Sequence, residues 1–343
     1  MKIDFLCSDG SPIGVTLKDL WGEGNRGIGV GGSEYAMLTM CQEWHKAGHD
    51  IVLYNNPITP DGSPFEQRNI STFNPLDFRD VLIIFRSPNS RAMAARGLKV
   101  WWSCDQNTIG DFRGFSELVD KIVCISPRHA QYFAEAYGIT NTTVIDIPVR
   151  TYDFDAMHID KIPNRIVFTS VPARGLDNLL RIFPIIQRSV PNISLVITSD
   201  YRLWGVGASN QYFINRWREK RNVNYAGALP RVEYLKELLR AQILLYPSNY
   251  DELFCVSVSE AQYAKAYPIT SGCGALPTTN MGTVLNVNAD MGNDKSFANE
   301  AINLLKNPEK LEEVQEDVFQ KAKERFSPQK ILEEWDNKIF NGG

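Results

Sequence analysis

Histidine is scarce in this chain, with only four residues, at 45, 49, 129 and 158. None stands in a His-Glu-x-x-His or comparable ligand spacing, so the sequence gives no support to a metal-dependent hydrolase. Six cysteines, at 7, 41, 104, 124, 255 and 273, form no Cys-x-x-Cys pair and fall mostly in apolar stretches, which argues against disulfides and structural zinc. No apolar run approaches the roughly 20 residues needed to cross a bilayer. The first residues, Met1-Lys2-Ile3-Asp4, open a strand instead of a signal peptide. A cytoplasmic protein without integral membrane contact is expected, with no metal site and no bound cofactor. Repeats and low-complexity tracts are absent too. Positive charge is short in the first part: residues 1–160 carry 14 Lys and Arg against 20 Asp and Glu, while residues 161–343 carry 22 against 20. That balance opposes general nucleic-acid binding and places any anionic ligand with the second half.

The length of 343 residues calls for two domains. Short apolar runs alternate with helical patterns throughout. Strands are expected near residues 3–6, 51–54, 81–85, 100–102, 122–125 and 143–145, and again near 165–168, 195–197, 224–226, 244–246 and 267–269. A helix is expected over 33–47. Such alternation implies doubly wound parallel sheets, hence an α/β chain of two Rossmann-like domains. The expected division is 1–150, a proline-containing linker 151–164, a second domain 165–326, and a C-terminal helix 327–343.

The most telling stretch is Asp251-Glu252-Leu253-Phe254 through Glu260-Ala261. It follows Ile243-Leu244-Leu245-Tyr246-Pro247-Ser248, which reads as a buried strand ending in a loop, and it passes into a helical pattern. Glu252 then lies on the loop and Glu260 in the helix. Ligands of open α/β sheets bind beyond the carboxyl ends of the strands, and two carboxylates there suit the hydroxyls of a polar ligand such as a sugar nucleotide. The bland alternative is a solvated loop Glu and a helix-surface Glu.

The Glu-x7-Glu spacing, with Pro247 and Ser248 before it, Phe254 after the first Glu and Ala261 after the second, resembles the donor-site signature of GT-B fold glycosyltransferases, in particular retaining family 4. Val223-Asn224-Tyr225-Ala226-Gly227 upstream, and Tyr267-Pro268-Ile269 through Gly272-Cys273-Gly274-Ala275-Leu276-Pro277 downstream, are similar to its neighbouring strands and glycine turn. The resemblance implies two Rossmann-like domains facing a cleft, an acceptor domain first and a donor domain second, with the last helix crossing back to the first. It also implies a nucleotide-diphosphate sugar as co-substrate.

On that resemblance, Glu252 contacts donor-sugar hydroxyls and Glu260 the ribose. Ser248 and Phe254 line the donor site, and the backbone around Gly274 and Ala275 meets the diphosphate. Gly31 and Gly32, opening the helix after Gly27-Ile28-Gly29-Val30, face the donor phosphates or the acceptor. Glu34 in the first turn complements the helix dipole. In Ser170-Val171-Pro172-Ala173-Arg174-Gly175 the family's second phosphate-binding cation is matched by Arg174, whereas Ser170 stands where the first cation is usual. Arg202 or Arg231 would be the replacement. Asp105, at a place where the family often has His or Asp, is a catalytic or sugar-contacting candidate, or else a helix cap. Arg86 is an acceptor-binding candidate for an anionic group, or else a solvated surface residue. Ser126 reads as a helix N-cap.

The implied reaction moves a sugar to an acceptor hydroxyl with retention, either by same-face attack or by double displacement through Glu252 or Asp105. Alternatives are a sugar-nucleotide epimerase, a phosphorylase, or a silent glycan- or nucleotide-binding relative. The acceptor is left open among glycan, lipid, protein and modified nucleobase, with selectivity expected from loops 8–30 and 55–75.

Overall fold

Thirteen strands, almost all of them short and apolar, build two wholly parallel sheets in a computed structural model that describes residues 1–8, 13–24, 27–106, 110–198, 200–204, 211–285 and 293–341. The chain divides into two compact units. Unit 1 comprises residues 1–148 with 328–343, and unit 2 comprises residues 149–327. The segment 151–164, read above as a linker, falls in unit 2 and begins with a helix, Thr151–Asp155, because Phe154 has a buried place there.

In unit 1 the strands are β1 Lys2–Cys7, β2 Asp50–Tyr54, β3 Glu66–Arg68, β4 Val81–Phe85, β5 Leu98–Trp102, β6 Lys121–Cys124 and β7 Thr143–Val144. Their order across the sheet is 3-2-1-4-5-6-7, with Ile3 opposite both Ile51 of β2 and Val81 of β4. The order reverses between β1 and β4, and such a reversal opens a crevice at the carboxyl ends.

Adjacent residues on a strand point to opposite faces, so Trp101 and Trp102 serve separate clusters. Trp101 packs on Phe112, Phe115 and Phe133 with ring centroids 5.2, 5.4 and 5.3 Å away. Trp102 packs at 5.3 Å on Trp335 of helix Pro328–Trp335, which meets Trp44 of helix Gly32–Lys46 edge-on at 5.1 Å. Each such aromatic pair adds about 0.5–1.5 kcal/mol beyond simple burial. Residues 328–335 therefore form part of the core of unit 1.

Unit 2 contains β8 Arg165–Thr169, β9 Ser194–Thr198, β10 Val223–Tyr225, β11 Ile243–Tyr246, β12 Tyr267–Ser271 and β13 Thr283–Leu285, in the order 10-9-8-11-12-13. The reversal lies between β8 and β11. The loops that leave these two strands carry Ser170 to Gly175 and Pro247 to Cys255. Among the described residues no helix is long and apolar enough to cross a membrane.

Candidate functional site

Three loops at the carboxyl edge of the unit 2 sheet converge on Glu252. Arg174, from the loop after β8, donates Nη1 to Oε2 at 2.9 Å and to Oε1 at 3.2 Å. Tyr246, the last residue of β11, donates its hydroxyl to Oε1 at 2.5 Å, and Ser170 Oγ lies 3.1 Å from that same hydroxyl. Burial first, and then the negative charge of Glu252, push the Tyr246 hydroxyl well above its ordinary range, so it stays a donor. The guanidinium of Arg174 also stacks over the Tyr250 ring, 4.2 Å from its centroid. Glu252 is only 3% exposed, which rules out the reading as a solvated loop residue.

The backbone is shaped for this approach. Gly274 sits at φ +60°, and a Cβ there would lie 2.3 Å from both the backbone N and O of Glu252. Gly175 at φ +112° is likewise pressed against Pro247, whose carbonyl a Cβ would meet at 2.7 Å. Cys255, which opens the helix Val256–Tyr263, is held at φ +81° although it is not glycine. Non-glycine residues in that region cost free energy and persist where their surroundings over-determine them. Its thiol is pushed up by burial and then by the Glu252 charge, so it is no candidate nucleophile. A Gly274→Ala replacement is expected to displace the Glu252 loop and reduce activity at least tenfold while secondary structure by circular dichroism stays unchanged. Wild-type turnover in that variant would show that the close approach is dispensable.

Other expected donor-site residues take different parts. Ala275 donates its N–H to the carbonyl of Glu252 at 2.6 Å, so this amide is committed within the protein and does not point at a diphosphate. The Phe254 ring is buried against Phe326, 5.7 Å away, and acts in packing. Ser248 is fully buried and accepts the Tyr250 N–H at 3.1 Å, fixing the turn before Glu252.

Glu260, in helix Val256–Tyr263, is equally enclosed, which corrects the helix-surface reading. Arg231 donates Nη2 to its Oε1 at 2.8 Å and Tyr234 its hydroxyl to Oε2 at 3.0 Å. Arg231 also donates Nε to Asp153 Oδ2 at 2.6 Å, and the same oxygen accepts Arg150 Nε at 2.9 Å. Two guanidinium groups and two carboxylates thus compensate one another in the interior. Arg231, suggested above as a substitute phosphate cation, is tied into this chain instead, and Arg202 is paired with Asp200 at 2.6 Å. The sequence carries little sign of the network, whose longest link joins residues 78 positions apart.

Unit 1 has its own polar group, at the reversal between β1 and β4. Arg86 directly follows β4 with φ +62°, its N–H donated to the Trp102 carbonyl at 3.0 Å and its carbonyl accepting Trp101 Nε1 at 2.8 Å. Its guanidinium pairs with Asp105 at 2.7 Å and Glu34 at 3.3 Å. Arg86 is accordingly no solvated surface residue, and Glu34 does more than complement a helix dipole. The helix Phe112–Ser116 is capped by Asp111, which accepts the Gly114 N–H at 3.0 Å, and not by Asp105. Gly31 is the N-cap of helix Gly32–Lys46, its carbonyl accepting the Tyr35 N–H at 2.8 Å. Ser126 caps the helix Pro127–Tyr137, accepting the His129 N–H at 3.0 Å. Of the loop 8–30, residues 9–12 and 25–26 lie outside the described residues.

His129 is fully buried and burial pushes its imidazole down to about 3, partly offset by Asp105. It is neutral in the folded state above that pH, whereas the unfolded chain protonates near 6.5. Its contribution to stability is complete above pH 6.5 and is lost progressively as pH falls toward 3. Between pH 7 and 5 the loss amounts to about 2 kcal/mol. His129→Gln should therefore show a shallower fall in urea midpoint over that range, and equal slopes for both proteins would refute the assignment.

Among the described residues no group of three or more His, Cys, Asp or Glu is placed to hold a metal ion. Two doubly wound parallel sheets in series, each with polar groups at its carboxyl edge, define the GT-B class of glycosyltransferase fold. Residues 159–324 match the sequence family described as Glycosyl transferases group 1. Similar solved structures include HepE of Anabaena with UDP and glucose, at TM-score 0.69 and 13% identity over 99% of this chain and 100% of that one. Sucrose-phosphate synthase of Thermosynechococcus elongatus matches at TM-score 0.71 and 12% identity over 100% of both chains. A glycosyltransferase of Rickettsia africae matches at 0.68 and 14% over 100% and 99%. No curated protein matches the chain in sequence.

Proposed function

We propose that this chain transfers a sugar from a nucleotide-diphosphate sugar to an acceptor hydroxyl, with retention at the anomeric carbon and without a metal ion, in the cytoplasm. The observation that carries the reading is Glu252, buried at the carboxyl edge of the unit 2 sheet yet fixed by Arg174 and Tyr246. In the proposed reaction Glu252 aligns the donor-sugar hydroxyls and Glu260 accepts from the ribose. Carboxylate oxygens have lone pairs beyond those their protein partners use. Arg174, with five N–H donors, stabilises charge on the departing diphosphate, and such preorganised donors typically contribute 10²–10³ in rate. The departing phosphate oxygen takes the proton of the attacking hydroxyl, so no basic side chain is needed.

HepE is solved with UDP and, in another structure, with UDP-glucose, which makes the uridine series the first to test. A thermal-shift panel of UDP-, GDP-, ADP- and dTDP-sugars should single out one nucleoside. A ligand at about 100 times its Kd adds about 2.7 kcal/mol of stability, and the shift should disappear in Glu260→Ala. With the responding donor, nucleoside diphosphate release should persist in EDTA and the product should keep the donor's anomeric configuration. Binding without release points instead to a silent nucleotide-binding relative, and no binding to any nucleotide overturns the reading.

A further inference from the structure

Lys161 ties together the two helices that build the Glu260 network. It donates Nζ to the Ala241 carbonyl at 2.6 Å and to the Ala264 carbonyl at 2.7 Å. Ala241 is the C-cap of helix Arg231–Arg240, and Ala264 is that of helix Val256–Tyr263. Carbonyls at a helix C-terminus lack a partner within the helix and carry partial negative charge, so one cation between two such ends satisfies both. The first helix supplies Arg231 and Tyr234 to Glu260, and the second holds Glu260 itself. Ala264 is one turn beyond Glu260, its N–H bonded to the Glu260 carbonyl at 2.9 Å.

The backbone beside Lys161 is fixed to the same joint. Ile162 donates its N–H to the Arg240 carbonyl at 2.8 Å, and Asn164 donates its own to Gln242 Oε1 at 2.7 Å. Burial, and after it the charge of Lys265, push the Lys161 amine down to about 7. Around that pH the group passes between ammonium and neutral amine, and charge-assisted hydrogen bonds are roughly twice as strong as neutral ones. The other charged groups on the elements that meet here are Glu237, shared by Arg165 and Arg240, and Lys265, paired with Glu316. Asp160 and His158 stand on the segment of Lys161 itself.

We propose that Lys161 is a positioning residue for the nucleotide: by joining the two helix ends it sets Arg231 and Tyr234 where they hold Glu260 ready for the ribose. Loss of its proton slackens that hold, so donor affinity falls as pH rises, and donor and proton favour one another's binding. The proposal rests on the glycosyl-transfer reading above, through the role given there to Glu260.

The test measures binding of the glucose derivatives of UDP, GDP, ADP and dTDP by calorimetry in the unaltered protein, Lys161→Met, Lys161→Arg and His158→Gln. Kd for the responding donor should rise about tenfold in Lys161→Met, with kcat at saturating donor changed less than about twofold. In the unaltered protein affinity should fall about threefold from about pH 6 to about pH 8.5. That slope should vanish in Lys161→Arg, which keeps its charge throughout, and persist in His158→Gln, which removes the other group of a type that titrates near neutrality. Normal affinity in Lys161→Met, or an unchanged slope in Lys161→Arg, overturns the proposal. Should Lys161→Met fail to fold, the slopes of the unaltered protein and Lys161→Arg decide. If no nucleotide binds, the glycosyl-transfer reading fails by itself. The NMR signal of Arg231 Nε–H, bonded to Asp153, then reports the network without a ligand: it should move with pH in the unaltered protein and stay still in Lys161→Arg.

Discussion

Glu252→Gln is expected to lower kcat for transfer by at least about 10²–10³-fold while the Kd for the donor changes by less than tenfold. The amide has the volume of the carboxylate but not its charge. Arg174 Nη1 meets both carboxylate oxygens, at 2.9 and 3.2 Å, and Tyr246 donates to one of them. A glutamine has a single acceptor oxygen and must turn a donor toward one of these donors. The loop itself should survive, because the Ala275 N–H is bound to the residue's backbone carbonyl, which the change leaves alone. Loss of a fully buried pair would cost about 3–5 kcal/mol. With Arg174 24% exposed, about 1–2 kcal/mol is the better expectation, since water screens what remains. Calorimetric donor binding beside a product-release assay separates the effects. Normal turnover by the variant would remove Glu252 from the reaction.

The largest stability effect should come from Arg231→Met. Arg231 lies between Asp153 and Glu260, all three 5% exposed or less. Removing it leaves two interior carboxylates without their shared cation, and breaking a buried pair in this way typically costs 3–5 kcal/mol. For a unit of this size that is a fall in Tm of roughly 10 °C. Because the surviving penalty is the uncompensated charge, adding Glu260→Gln to Arg231→Met should restore part of the loss. The resulting coupling should fall within about 0.5–3 kcal/mol. Donor affinity should drop in Arg231→Met as well, since Glu260 is no longer oriented. A Tm within a degree or two of the unaltered protein would mean that the interior tolerates these carboxylates, by water entry or by protonation.

Eleven of the strands were legible because parallel strands covered on both faces must be apolar, as Val81 to Phe85 and Ile243 to Tyr246 are. β3 and β13 were not, being three-residue edge strands, and Glu66–Arg68 is polar throughout. The placement of Glu252 and Glu260 on loop and helix also followed from local pattern. What escaped was every partner brought in by tertiary contact. Tyr246 looks like one more residue of an apolar run, and only its hydroxyl, turned to Glu252, gives it a part in the site. Tyr234 and Asp153 carry no local signal, and Arg231 reads as a spare phosphate cation until the fold sets all three around Glu260. Arg86 was visible as a strand-end arginine, but its two acidic neighbours are 19 and 52 positions away.

The contribution of Trp335 to the core of unit 1 also has a consequence for biosynthesis. Residues 149–327 form an uninterrupted unit, whereas the first 148 residues lack part of their interior until residues 328–335 have been translated. The nascent first unit waits with Trp44 and Trp102 short of one aromatic partner while residues 149–327 are made, and apolar surface left open in this way favours misassembly.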